Sequence, residues 1–345
     1  MTASRPIITV VIPVYNAGKY LTRCLDSLLS QSFQDFEVRC VDDASTDDSY
    51  EILMGYVAKD PRIKVTRLPE NQGVGHARNV GMDLSEGEFI YFLDSDDWLD
   101  FDYLESMYRH ALSSGLDIVI NHNWVFEGKS RSKSRRGGEY GFIRDEAGYY
   151  TLAQVQSVFL HVLWCRLFRL KFLRDNNIRF TLTRGAEDLF FVYLSEAIQG
   201  KCYIFSGPFY HYYQRDDSLN KRKDVLWHHF LNYAELSKEL QARQIPPSGS
   251  KRFYLWDTPL RIDSEHKFDF VKSFFSSVET DVRSSPDLYS VFECYVMVAV
   301  LSCRDYISFR IRYFLDFPIR YRLMVLLNRR WPSVTTILDG SWKVK

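Results

Sequence analysis

Three carboxylates fall within four residues at Asp94-Ser95-Asp96-Asp97, directly after the apolar run EFIYFL. Their mutual repulsion needs a positive partner, and alternate residues of an extended chain let Asp94 and Asp96 face one point. A hard divalent cation, Mg²⁺ or Mn²⁺, suits that point because such ions take oxygen ligands. The bland alternative is a solvated acidic turn capping a helix that begins near Leu99, since Asp is a favoured N-cap.

The segment VDDASTDD repeats the theme, with Asp42 and Asp43 at a strand end and Asp47 and Asp48 suited to helix capping. An Asp held at a crevice accepts from a nucleobase ring N–H, so Asp43 suits base recognition as well as capping. Gly73-Val74-Gly75-His76-Ala77-Arg78 opens like a dinucleotide fingerprint but has Arg where the third glycine belongs. It also follows a third strand, which argues against NAD and leaves Arg78 as a diphosphate or base contact on a helix N-terminal turn, or as a surface arginine. Glu187-Asp188 opens the aromatic helix AEDLFFVYL. Adjacent carboxylates there point in different directions, so one can face a crevice while the other complements the helix N-terminus; the alternative is a first turn in which both serve the helix dipole.

Elements to position these residues are legible. Residues 7–14 (IITVVIPV) are continuously apolar and β-branched, as in a strand covered on both faces. Helix 18–30, strand FEVRCVDD, helix 46–59, strand IKVTRL, helix 75–84 and strand EFIYFLD follow, then helix 99–113 and strand DIVINHNW. This alternation predicts an α/β fold with a mostly parallel, doubly wound sheet and ligands beyond the strands' carboxyl ends. The unusual residues sit there, after the first, second and fourth strands. Residues 128–150 read as a basic loop, 151–175 and 186–198 as helices, CYIFSGPFYHYY as an edge strand broken at Gly207-Pro208, and the chain beyond 222 as helical and aromatic.

Composition narrows the class. The 345 residues carry 44 Lys plus Arg against 44 Asp plus Glu, so no global field draws the chain to nucleic acid. Six cysteines without a C-x-x-C pair read as reduced thiols, placing the protein in the cytoplasm. The start, MTASRPIITVVIPVYN, reads as a strand rather than a signal peptide, and no run reaches the ~18–20 apolar residues of a spanning helix.

Together, IPVYNAGKYL, VDDASTDDS, GVGHARNVG, FLDSDDW and GAEDLFF, in that order, resemble family 2 glycosyltransferases of the GT-A fold. The resemblance implies a catalytic domain over 1–220 and a helical, Arg-rich region over 221–345. It implies a UDP-sugar donor held by Pro13, Tyr15, Asp43, Arg78, Asp94 and Ser95, with Asp96 and Asp94 at the metal. Asp188 matches the family's base, with Glu187 placing the acceptor or holding that base. The segment YHYYQRDDSL resembles the family's closing element, which puts Arg215 and Ser218 on the donor and offers His211 as a further metal ligand, against the commoner structural role of a strand histidine. The implied reaction is inverting transfer to a glycan or lipid-linked glycan, as in bacterial lipopolysaccharide or capsule synthesis; a nucleotide-sugar-binding scaffold without catalysis is the alternative. Arginines and aromatics over 304–331 suit peripheral contact with an anionic inner-membrane face, or packing of a helical lobe. A haloacid-dehalogenase-type phosphohydrolase is disfavoured, because FLDSDD closes the fourth strand rather than the first and lacks D-x-D-G-T.

Overall fold

The computed structural model describes residues 5–127, 147–151, 162–183, 185–199, 201–215 and 225–245, and in the C-terminal part 267, 269, 271–273 and 276. Two compact units divide the chain, Met1–Pro246 and Pro247–Lys345. The basic loop, Ser218 and the 304–331 stretch lie outside the described residues.

Strand β1 (Ile8–Val14) is buried at every position, as its unbroken apolar run requires. Helix α1 (Gly18–Leu29) buries Leu21, Cys24, Leu25 and Leu28, one face at helical spacing. Strand β2 (Phe36–Asp42), helix α2 (Ser49–Val57), strand β3 (Ile63–Arg67), helix α3 (Val74–Asp83) and strand β4 (Phe89–Phe92) complete the first half. The second half adds β5 (Trp98–Leu99), α4 (Tyr103–Ser114), β6 (Ile118–Asn121), β7 (Trp124–Glu127), β8 (Gly148–Thr151), β9 (Arg166–Arg169), α5 (Leu170–Asp175), α6 (Glu187–Gln199), β10 (Lys201–Phe205), β11 (Tyr210–Tyr213) and α7 (Val225–Ala242).

The main sheet runs β3-β2-β1-β4-β9-β6-β10-β8, and a small second sheet runs β5-β11-β7. Strands β3, β2, β1 and β4 are parallel, so the α/β expectation holds. Order reverses between β1 and β4, which opens a crevice beyond their carboxyl ends. Pro13 shows how the edge is built. Val11 carbonyl oxygen accepts from Leu93 N and Val14 oxygen from Asp43 N, so Pro13 faces the β4 side. The β4 register stops at Val11↔Phe92, and the missing proline N–H therefore costs no ladder bond.

Three local expectations are corrected. Among its described residues the stretch 151–175 is not one helix: β9 lies within it, antiparallel between β4 and β6, and only Leu170–Asp175 is α-helical, while residues 152–161 lie outside the described residues. RLFR is too short to show a period of its own and is continuous with α5, so tertiary pairing decides it. Strand β10 is not at an edge but pairs with β6 and β8. DIVINHNW is two strands, because the Asn121 side chain bonds Pro208 oxygen at 2.8 Å and Gly207 N at 3.0 Å, turning the chain so that β7 enters the second sheet. The first unit also takes in α7, which packs on α6 beyond the expected boundary at 220.

Cys24, Cys40, Cys165 and Cys202 are buried and free. Arg166 of β9 meets Glu196 of α6 inside the core, both side chains 1% exposed, with Nε and Nη2 on one carboxylate oxygen at 2.8 and 2.6 Å. A buried pair adds little by existing but much is lost on removing one partner. Glu196→Ala, which strands the guanidinium, is expected to lower unfolding free energy by about 3–5 kcal/mol in urea titrations.

Candidate active site

The β1 and β2 ends are clamped to each other. Asn16 and Ala44 both take left-handed backbone, φ 50° and 59°. Asn16 N donates to Ser45 Oγ at 3.0 Å, Ala17 N to Ser49 Oγ at 2.8 Å and Gly18 N to Asp47 Oδ2 at 3.0 Å. The side chains of the β2–α2 turn thus cap α1 as well as their own helix. Tyr15 stands out of this clamp, 47% exposed, beside the crevice.

Asp43, 2% exposed, accepts Gln72 N on one oxygen and Gly73 N on the other, both at 2.8 Å. It therefore fixes the turn entering α3, where Gly73 at φ 93° adopts backbone that favours glycine. Gly75 is a close-approach site: a Cβ there would lie 2.4 Å from Thr181 oxygen and 3.2 Å from Glu187 Cγ. That approach lets the next turn of α3 aim Arg78 inward. Arg78 is neither a surface arginine nor an open nucleotide contact. It is 5% exposed, with Nη2 on Asp94 Oδ1 at 2.8 Å and Nη1 on Glu187 Oε1 at 2.5 Å.

The third carboxylate of the 94–97 turn has a separate task. Asp97, 1% exposed, accepts the Tyr210 hydroxyl and, at 2.7 Å, Tyr213 N. Asp100 accepts Phe209 N at 2.7 Å. These two bind β11 to the acidic turn and bring Arg215, just past it, to 3.7 Å from Asp96 Oδ2. Arg23 joins the same corner, donating to the Asp96 backbone carbonyl at 3.2 Å with its guanidinium 3.5 Å over Trp98. Both ring nitrogens of His211 are engaged: Nε2 meets Asp100 at 2.8 Å, Nδ1 meets Glu127 at 3.2 Å, and the ring stacks on Trp98. Ser95 is partly exposed in the turn.

Electrostatics separates the carboxylates by role. Burial, then the neighbouring Asp94 charge, lifts Asp96 to about 6 against the pull of Arg215. Burial also lifts Asp188 to about 6; Arg78 opposes the rise and Asp94 adds to it. Asp97 is pushed well above the usual range by burial and then by Asp96 and Asp94. Glu187 is raised by burial and held back by Arg78. Asp43, Arg78, Asp94, Asp96, Glu187 and Asp188 thus gather at one edge of the sheet. Sequence reasoning missed Asp97 and Asp100 as braces of β11, and Arg23 and Trp98; only the surplus carboxylate beyond a pair signalled any of them.

Among the described residues no three His, Cys, Asp or Glu side chains form a cage for a metal ion. Asp94 is shared with Arg78 and Asp97 is used by β11, so Asp96 is the carboxylate with most capacity left. A donor set of one or two carboxylates fits an ion of the Mg²⁺ or Mn²⁺ kind that draws its other ligands from substrate phosphates and water.

Residues 9–180 match the model of Glycosyl transferase family 2. The chain belongs to that family. It is 30% identical over 231 residues to glycosyltransferase GlyA of Streptococcus pneumoniae, covering 65% of this chain and 33% of GlyA. It is 31% identical over 208 residues to the poly(ribitol-phosphate) β-N-acetylglucosaminyltransferase TarS of Staphylococcus aureus, covering 59% of this chain and 35% of TarS. The match thus spans about a third of either relative. The crystal structure of TarS 1–349 in complex with UDP-GlcNAc shares the fold, with TM-score 0.60 and 24% identity over 81% of this chain and 83% of that one.

Arg78→Leu would leave Glu187 and Asp94 facing each other without a cation. The loss of stability is expected to be roughly 3–5 kcal/mol at pH 8. It should be smaller at pH 5, where an unpaired buried carboxyl protonates more readily; urea midpoints at the two pH values measure the difference.

Proposed function

We propose that this chain transfers a sugar from a UDP-sugar to a hydroxyl of a bacterial envelope glycan with inversion at the anomeric carbon, assisted by Mn²⁺ or Mg²⁺. The reading is carried by one arrangement: Asp188, partly exposed and lifted to about 6, beside an Arg78-bridged Asp94 and Glu187. Family membership and the poly(ribitol-phosphate) activity in the name of TarS support the choice of an envelope acceptor.

In this mechanism Tyr15 stacks on the base, and Asp43, whose oxygens each keep a lone pair, lies beside it. Asp96 holds the cation, which when bound neutralises charge on the diphosphate. Arg215 supplies a second positive group as the bond from the anomeric carbon to the phosphate oxygen breaks and its electron pair leaves on UDP. The acceptor oxygen attacks from the opposite face, and Asp188 takes its proton. Glu187, tied to Arg78, fixes the first turn of α6 and so the position of Asp188.

A base near 6 works only when ionised. The rate of UDP release with acceptor, measured across a UDP-sugar panel with Mn²⁺, should rise with pH through about 6 and level above it. Asp188→Asn should lower kcat by roughly 10²–10⁴ while UDP still binds; near-normal turnover would reject the assignment. Asp96→Ala should abolish the Mn²⁺-dependent part of UDP binding in calorimetry, and unchanged binding would remove Asp96 from the metal site.

A further inference from the structure

Residues 180–183, with Gly185 and Ala186, form a strap that leads into Glu187 and Asp188, and both of its ends are held by asparagines. Asn79 of α3 holds the first end, donating to Phe180 oxygen at 2.9 Å and accepting Phe180 N at 3.0 Å. The second end is held by Asn232 of α7, which is fully buried. Its Oδ1 accepts the Thr181 hydroxyl at 2.5 Å, while Nδ2 lies 2.8 Å from Thr183 Oγ1 and 3.1 Å from Gly185 oxygen. The Thr183 hydroxyl also donates to Gly185 oxygen at 3.1 Å. These contacts stop one residue short of Ala186, which takes left-handed backbone at φ 55°. A non-glycine residue there costs on the order of 1–2 kcal/mol and persists only where its surroundings dictate it.

An asparagine with both ends of its amide engaged, buried on a helix beyond the family-matched 9–180, is more than packing needs. Burying an amide is costly unless it is bonded, and an apolar residue would fill a helix–loop contact at lower cost. What Asn232 adds is direction: it fixes the Gly185 carbonyl, which sets the peptide entering Ala186 and hence the start of α6. We infer that Asn232 is a positioning residue for the base Asp188, acting through Thr181, Thr183 and the Gly185 carbonyl. It touches neither donor nor acceptor, and the inference rests on the role proposed for Asp188.

The test is a double-mutant cycle on the full chain, with Asn232→Ala, Asp188→Asn and the pair, using the UDP-sugar of the panel that gives most UDP release. Asn232→Ala should lower kcat at least tenfold with KM for the donor and calorimetric binding of UDP–Mn²⁺ changed less than threefold. In the Asp188→Asn background it should change kcat less than twofold, because there is no base left to misplace. Thr183→Ala, which removes one contact and little volume, should give a smaller loss of the same kind and serves if Asn232→Ala does not fold. Without substrate, hydrogen exchange in the peptide covering 185–199 should speed up in both variants while that of β1 and α1 is unchanged. A normal Asp188→Asn enzyme would reject the base and leave the exchange result to judge the strap. If Asp188→Asn is slow, then a normal kcat for the Asn232 and Thr183 variants, or losses that multiply fully with Asp188→Asn, would overturn the positioning role.

Discussion

The structure depends on how five carboxylates, Asp94, Asp96, Asp97, Glu187 and Asp188, two of them buried and three partly exposed, share one edge of a sheet. Charges a few ångströms apart interact at about 4 kcal/mol where the effective dielectric constant is near 20, so such a group folds only if most of its members are compensated. Arg78 compensates two with one guanidinium, the planar fork suiting carboxylates that approach from different elements. The remainder of the first half serves that placement: Asp43 fixes the turn before α3, and the missing Cβ of Gly75 lets the helix come under Thr181 and Glu187.

Not every carboxylate is compensated, and the exceptions are where chemistry belongs. Asp96 and Asp188, both near 6, stand above an unfolded-state value of about 3.9. The folded chain therefore binds more protons than the unfolded one, and the stability these groups give is full below pH ~4 and withdrawn as pH rises through about 6. A carboxylate whose charge the fold leaves under-compensated suits a site completed by a bound group, which is the role proposed for Asp96 toward a divalent cation.

The sequence displayed the first half of the fold well, because β1 and β4 are continuous apolar runs, β2 alternates Phe36, Val38 and Cys40 with polar residues, and α1 has a clean buried face. The site carboxylates were visible for the related reason that like charges packed together after strands are conspicuous. What stayed hidden was partnership. Nothing local says that Arg78 turns inward between carboxylates 16 and 109 residues away, or that Asp97 spends both oxygens on Tyr210 and Tyr213. The structural role that a strand histidine usually takes had no visible partners at His211, because Asp100 and Glu127 are remote in sequence. RLFR was hidden differently: four residues joined to a helix carry no periodicity, and only the vacancy between β4 and β6 makes them a strand.

That short strand also explains why the two halves of the site are joined as they are. Because β9 runs antiparallel to β4, the chain emerges from it at Arg169, opposite Phe89 and away from the crevice. It must then climb back across α3 to begin α6 at the crevice edge. The climb is carried by 176–183 and then by Gly185 and Ala186, and is anchored by Ile178 and Phe180 in the core, with Phe180 stacked 4.0 Å from Phe191 of α6. A parallel strand in that position would have delivered the chain to the crevice directly, with no strap lying on Gly75 and Asn79. The reversal of one strand is thus what couples the helix carrying Arg78 to the helix carrying Asp188, and it makes their spacing a property of the strap's two anchors rather than of the sheet.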